Sequence, residues 1–258
     1  LADEPEAVGH EMRNALGLGA EWAAEVRTWQ SAVSELRQLI EGLGIMAVIN
    51  GVVGNNPHRK LSVEEFRGFA LTDPYAPLIF VNGADAKSVQ IFTLVHELAH
   101  IWLGNGGLSG FNDMQPDGTD IEVWCNRAAS EFLVPARAFS TYWEQIKQEQ
   151  NPFEIMAKFF RVSPVVAARR ALDLNYIELD TFLDFYKDNA VREYGSSTLS
   201  SGGNFYNNQN TRVGKLFATR VLRAAREGRI SFKEAYNLTG MHDGSFQKYA
   251  KLLDGDSS

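Results

Sequence analysis

Trp22, Val26, Trp29, Val33, Leu36, Ile40 and Leu43 recur at alternating spacings of four and three residues. That period holds apolar side chains on one stripe of an α-helix, so a helix is expected here, stopped by Gly42 and Gly44. Two tryptophans in the stripe suit packing on a globular core better than a coiled-coil seam. Three short strand candidates follow, at Ile45–Asn50, Glu65–Leu71 and Leu78–Val81. The turn-forming GVVGNNP and the Asp73-Pro74 pair separate them. From Ser88 to Leu103 the run SVQIFTLVHELAHIWL is apolar on almost every side and predicts a buried helix.

Beyond Leu103 the stretch GNGGLSGFNDMQPDGTD predicts a long loop. Helical periodicity resumes at Ile121 and runs to about Leu133, just before Pro135. Further helices are expected from 136 to 192, then a flexible hinge at SSTLSSGGN and a helical tail. Ser231-x-x-Glu234 predicts a capping box in that tail. No internal repeat is visible. The expected fold is α+β: a core with a small β-sheet over 1–150, a helical, helix-turn-helix-like segment over 151–195, and a hinge with a helical C-terminal region over 196–258.

Composition narrows the function classes. The 258 residues, 45% hydrophobic and 22% charged, are those of a globular chain with one sizeable core and a smaller appended unit. The net charge of −7 argues against a general nucleic-acid binder, so direct nucleic-acid contact is not expected of the chain as a whole. A single cysteine, Cys125, precludes an internal disulfide and suits a reducing compartment. With no membrane-length apolar run and no secretory signal, the expectation is a cytoplasmic protein that does not meet a membrane. Leu1 in place of methionine, ahead of the acidic ADEPEAVGH, suggests a piece of a longer protein or a chain that lost a short leader.

The chemistry lies in the buried helix. His96-Glu97-Leu98-Ala99-His100 places two imidazoles four residues apart, on one helix face about one turn from each other. That spacing lets both reach one metal ion, with Glu97 placed to act as general base on an activated water. Such a helix would otherwise bury a carboxylate and two imidazoles at a cost of several kcal/mol.

A tetrahedral catalytic zinc takes three protein ligands and leaves a fourth position open. The remaining histidines, His10, His58 and His242, stand at no spacing that extends the motif, so a carboxylate is the better third ligand. Glu122 is the first choice, with Asn126 one turn on to hydrogen-bond a ligand histidine. Thr119-x-x-Glu122 is equally a capping box, and Asp113, Asp117, Asp120 and Glu131 are alternatives.

The stretches IFTLVHELAHIWLG and IEVWCNRAASEFLVP resemble the ImmA/IrrE family of zinc metallopeptidases. The second motif of that family reads approximately E-x-x-A-N-x-F-A-A-x-L-L-x-P. Glu122, Asn126, Ala129, Leu133 and Pro135 match it, whereas Cys125, Ala128 and Ser130 depart from it at positions expected to affect packing and not the metal site. EEFRGFALTDPYAPLIFVNG and GGNFYNNQ resemble members with an extended C-terminal region, so the likeness runs from about residue 20. It implies Zn2+ held by His96, His100 and Glu122, with Glu97 as catalytic base. It further implies endopeptidase action on a protein substrate, a helix-turn-helix repressor or an antitoxin-like regulator, and a fused or paired DNA-binding domain. Two other classes stay open: a regulatory DNA- or protein-binding module with a structural or vestigial zinc site, and a protease toxin held by an antitoxin partner.

Three weaker features remain. Tyr206 is a candidate for stabilising the oxyanion on chemical type alone. Phe153 to Leu174 resembles a helix-turn-helix, with Ser163 capping its second helix and Arg169 and Arg170 placed to meet phosphate; a packed helical pair forming one wall of the substrate cleft is the preferred reading. Arg212, Lys215, Arg220, Arg223, Arg226 and Arg229 make the tail basic. A solvated face is the default for them, and a docking surface for an acidic partner or nucleic acid the alternative.

Overall fold

Thr28 divides the first expected helix in two. The computed structural model describes residues 4–53, 56, 58–104, 107–109, 120–195 and 210–255. It opens with α1 (Pro5–Ala15), followed by the single turn α2 (Trp22–Glu25) and by α3 (Trp29–Gly42). Val26 and Thr28 are extended, and the Thr28 hydroxyl accepts the Ser31 N–H at 3.0 Å, so this residue starts a new helix instead of continuing the old one. Trp22, Val26, Val33, Leu36 and Ile40 are nonetheless all buried, whereas Leu43 is 40% exposed and drops out of the expected stripe.

The strands β1 (Met46–Asn50), β2 (Gly68–Leu71) and β3 (Leu78–Asn82) fall where the apolar runs place them. A short β4 (Gly107–Ser109) forms inside the stretch expected to be loop, most of which lies outside the described residues. The sheet order is β1-β3-β2-β4. β1 pairs parallel to β3 with Met46 opposite Leu78, and β2 pairs antiparallel to both β3 and β4.

One long helix, α4 (Lys87–Leu103), lies across this sheet, and every residue from Val89 to His100 is buried. The helix ends at Gly104. Then come α5 (Asp120–Leu133), α6 (Ala136–Ile146), α7 (Pro152–Phe160), α8 (Pro164–Asp173) and α9 (Leu179–Gly195). α5 is packed between α1 and α4, so the unheralded N-terminal helix backs the one that carries Glu122. A single apolar core runs from Val8 to Phe182 and takes in α7 and α8 as well as the sheet. The fold is therefore mostly helical α+β, as expected.

One buried polar network locks this core. The Glu131 carboxylate receives Arg170 and the Ala136 N–H and lies 3.1 Å from His10 Nε2, tying α1, α5, α6 and α8 together. Arg170 also donates to the Val134 carbonyl at 3.0 Å. Buried donors and acceptors thus meet each other, which removes most of their desolvation cost.

The C-terminal region builds a separate core. A π-helical turn (Asn210–Gly214) lies along β1 and leads into α10 (Lys215–Arg226), α11 (Phe232–Thr239) and α12 (Asp243–Gly255). Ala218, Val221, Leu222, Ala235, Met241, Phe246 and Tyr249 fill the space between them. Glu41 joins the two cores: one oxygen accepts the Leu216 N–H at 3.1 Å, the other takes Arg37 at 2.7 Å. The expected hinge at SSTLSSGGN lies outside the described residues.

Candidate metal centre

The four-residue spacing on α4 brings the His96 and His100 rings to 4.8 Å between centroids, edge to face, with their Nε2 atoms 3.1 Å apart. Both imidazoles are buried. Glu122 arrives from the first turn of α5 and sets one carboxylate oxygen 3.0 Å from His96 Nε2 and the other 3.3 Å from His100 Nε2. All three offered ligand atoms lie within 4.8 Å of one another. A tetrahedral zinc with arms of about 2.0–2.1 Å holds its ligand atoms about 3.3 Å apart. The observed separations match, and two imidazoles with one carboxylate form a donor set that zinc favours.

The other carboxylate candidates stand elsewhere. Glu131 is committed to Arg170, and Asp120 is exposed at the start of α5. Asp113, Asp117, Thr119 and Tyr206 lie outside the described residues.

The charges in the site support one another. Burial works against protonation of His100, but the Cys125 thiol and the Glu122 carboxylate outweigh it and raise the imidazole to about 10. Burial also works against ionisation of Glu122; hydrogen bonds from His100 and His96 overcome it and bring that carboxyl down to about 2. These are the marks of a strongly interacting cluster, and a bound dication would replace the proton they share.

Glu97 is fully buried on α4, between the two histidines in sequence. Its backing is the main chain of β2. A methyl group placed on Gly68 would come 2.5 Å from Thr93 Cγ2, 2.9 Å from the Phe80 carbonyl and 3.0 Å from Glu97 Oε1. Gly68 therefore lets the sheet approach the motif helix at the carboxylate itself.

One helix turn from His96 and Glu122 lies a hollow of about 490 Å³, counting the solvent at its mouth. Phe92, whose ring stacks 6.2 Å from that of His96, and Asn126, one turn beyond Glu122, form its near side. Val165, Val166 and Phe182 form the far side. That wall is therefore built by α8 and α9, and not by the α7–α8 pair. Ser163 caps α8 by accepting the Val166 N–H at 3.2 Å, as its sequence predicts. Arg170 is buried on Glu131 and Arg169 is paired with Asp173 at 2.9 Å, so neither presents a free guanidinium to phosphate.

Residues 58–172 match the IrrE N-terminal-like domain, a peptidase family. This chain carries an IrrE N-terminal-like domain. The match spans β2, α4 and α5, and with them every residue of the cluster. Membership of that family implies a metallopeptidase, with His96, His100 and Glu122 as the group that could hold the metal. Residues 213–252 match a domain of unknown function, DUF8813, and coincide with the second apolar core. No curated protein matches the chain. Among the described residues no helix is long and apolar enough to cross a membrane.

Two residues of the IrrE-like domain were missed by motif reading. Gly68 had a signal, a glycine inside a strand pattern, which marks close approach of another backbone or group. Cys125 was assigned to packing, yet it is buried against His100 and perturbs it, while burial lifts its own thiol above the usual range. Its position three residues after Glu122, on the same helix face, was the available clue.

Proposed function

We propose that the chain is a zinc-dependent endopeptidase that hydrolyses a peptide bond in a helix-turn-helix repressor or an antitoxin-like regulator. The observation that carries this reading is the convergence of Glu122 from α5 with His96 and His100, on the helix that bears Glu97, within ligand distance of a single ion. His96, His100 and Glu122 would hold the ion and leave one tetrahedral position open. Once bound, zinc would polarise the scissile carbonyl and acidify the attacking water.

The rest of the chemistry falls to the chain. Glu97 takes the proton of the attacking water and delivers it to the leaving amine, so one carboxylate serves as base and then as acid. Gly68 sets where that carboxylate stands. The hollow between Phe92 and Val166 receives a substrate side chain, with Phe92, Val165 and Phe182 offering apolar contact and Asn126 and Arg127 polar contact. The repressor as substrate rests on the resemblance of IFTLVHELAHIWLG and IEVWCNRAASEFLVP to the ImmA/IrrE family. Cys125, the single and buried cysteine, suits action in the reducing cytoplasm.

The experiment is to map new protein N-termini in cells expressing the wild type or Glu97→Gln. Cuts in a DNA-binding regulator, present with the wild type and absent with a Glu97→Gln chain that still binds zinc, are expected. Identical termini in both would overturn the reading.

A further inference from the structure

We infer that the C-terminal unit, residues 210–255, is a helix-turn-helix module that binds duplex DNA through α12. The inference does not depend on the peptidase reading, since none of the residues involved belongs to the metal cluster.

The local geometry comes first. α11 is an eight-residue helix opened by a full capping box, in which Ser231 and Glu234 exchange hydrogen bonds. It stops at Gly240, whose left-handed φ of 62° turns the chain sharply. Only Gly240, Met241 and His242 separate it from α12. A turn of three residues that begins on glycine is the connection found in helix-turn-helix units. Its inward side is continuous: Ala235 and Thr239 on α11, Met241 in the turn, and Phe246 and Tyr249 on α12 are all at most 4% exposed. α10 packs on both helices as the third member. The unit therefore holds α12 by its own core and leaves His242, Gly244, Gln247, Lys248 and Lys251 facing solvent.

Charge is segregated onto this unit. Residues 210–255 hold nine lysines and arginines against four acids, which leaves 16 against 28 for the rest of the chain. All four acids are engaged internally. Glu227 takes Arg223 and Arg229, Asp254 takes Arg226, Glu234 closes the capping box, and Asp243 accepts the Tyr236 hydroxyl at 2.5 Å. Arg220, Lys233, Lys248 and Lys251 are exposed and form no ion pair among the described residues. Lys248 and Lys251 share the open face of α12 with Gln247, the combination of phosphate and base-edge groups expected of a helix that enters the major groove. The contrast with α8 is instructive, because there the second helix is buried and both arginines are spent.

The test uses the full-length chain and a fluorescein-labelled mixed-sequence duplex of about 30 base pairs, followed by anisotropy across a salt series. Binding at low salt is expected, falling as salt rises and weakened about tenfold or more by Lys248→Glu with Lys251→Glu. Lys158→Glu with Lys187→Glu, both exposed on the other core, is expected to leave the affinity unchanged. Three results would overturn the inference. They are absence of binding at low salt, indifference to the α12 reversals, and equal binding of a single strand or of polyglutamate, the last assigning the surface to an acidic protein instead.

Discussion

Gly68 on β2 and Glu97 on α4 touch so closely that one added methyl group would lie 3.0 Å from the Glu97 carboxylate. The strand cannot yield, because the same methyl would also meet the Phe80 main-chain carbonyl at 2.9 Å. Gly68→Ala should therefore lower stability by about 1–3 kcal/mol through overpacking. Zinc content should be kept, since His96, His100 and Glu122 are not among the atoms it would meet. Chemical denaturation and metal analysis of the same sample check both; an unchanged midpoint would show that the sheet does not press on the motif helix.

Metal uptake should be linked to protons with a definite sign. His100 is held protonated to about 10 and Glu122 ionised down to about 2, so near neutral pH the metal-free cluster carries a proton that zinc must displace. Affinity should rise as pH rises, by about tenfold per unit below the His100 value. Without metal the same shifts act on folding. The raised His100 stabilises below its ordinary range and loses that effect as pH climbs through about 10; the lowered Glu122 stabilises above its ordinary range and loses that effect as pH falls towards about 2. Calorimetric titration with zinc in buffers of different ionisation enthalpy reads the released proton, and identical heats in all buffers would refute the linkage.

The buried pair Glu131–Arg170 should matter far more than its exposed neighbour. Glu131→Ala strands the Arg170 guanidinium in the core and should cost about 3–5 kcal/mol. Arg169→Ala removes a partly exposed pair with Asp173 and a cation–π contact 5.9 Å from the Phe182 ring centre, and should cost about 1–2 kcal/mol. Urea unfolding of the two variants separates them; equal losses would contradict the structural assignment of Arg170.

Glu41 should fasten the two cores. Glu41→Ala removes the acceptor for the Leu216 N–H and the partner of Arg37. Hydrogen exchange in residues 210–226 should accelerate, while that of α11 and α12, which have their own core, should change little. Uniform acceleration through all three helices would mean that the C-terminal unit does not stand on its own packing.

Much of this was legible because it depends on local periodicity. The strands at 46–50, 68–71 and 78–82, the buried α4 and the capping box at Ser231 follow from spacing and end signals. His96 and His100 are fixed by one helix turn. Glu122 was not, because a ligand and a capping residue look alike until α5 is docked beside α4. The break at Thr28 was hidden because Trp22 and Val26 before it, and Val33 and Leu36 after it, all remain in the core. α1 went unnoticed because its burial depends on a partner more than a hundred residues away in sequence. Cys125 and Gly68 matter only through what faces them, which no single stretch of sequence displays.

The most direct measurement is the metal content of the purified chain beside His100→Ala and Glu122→Ala, by elemental analysis. The account predicts about one zinc per chain in the wild type and its loss in both variants, with the fold retained by circular dichroism. Zinc kept by Glu122→Ala, or a wild type that cannot be loaded with the metal, would contradict it.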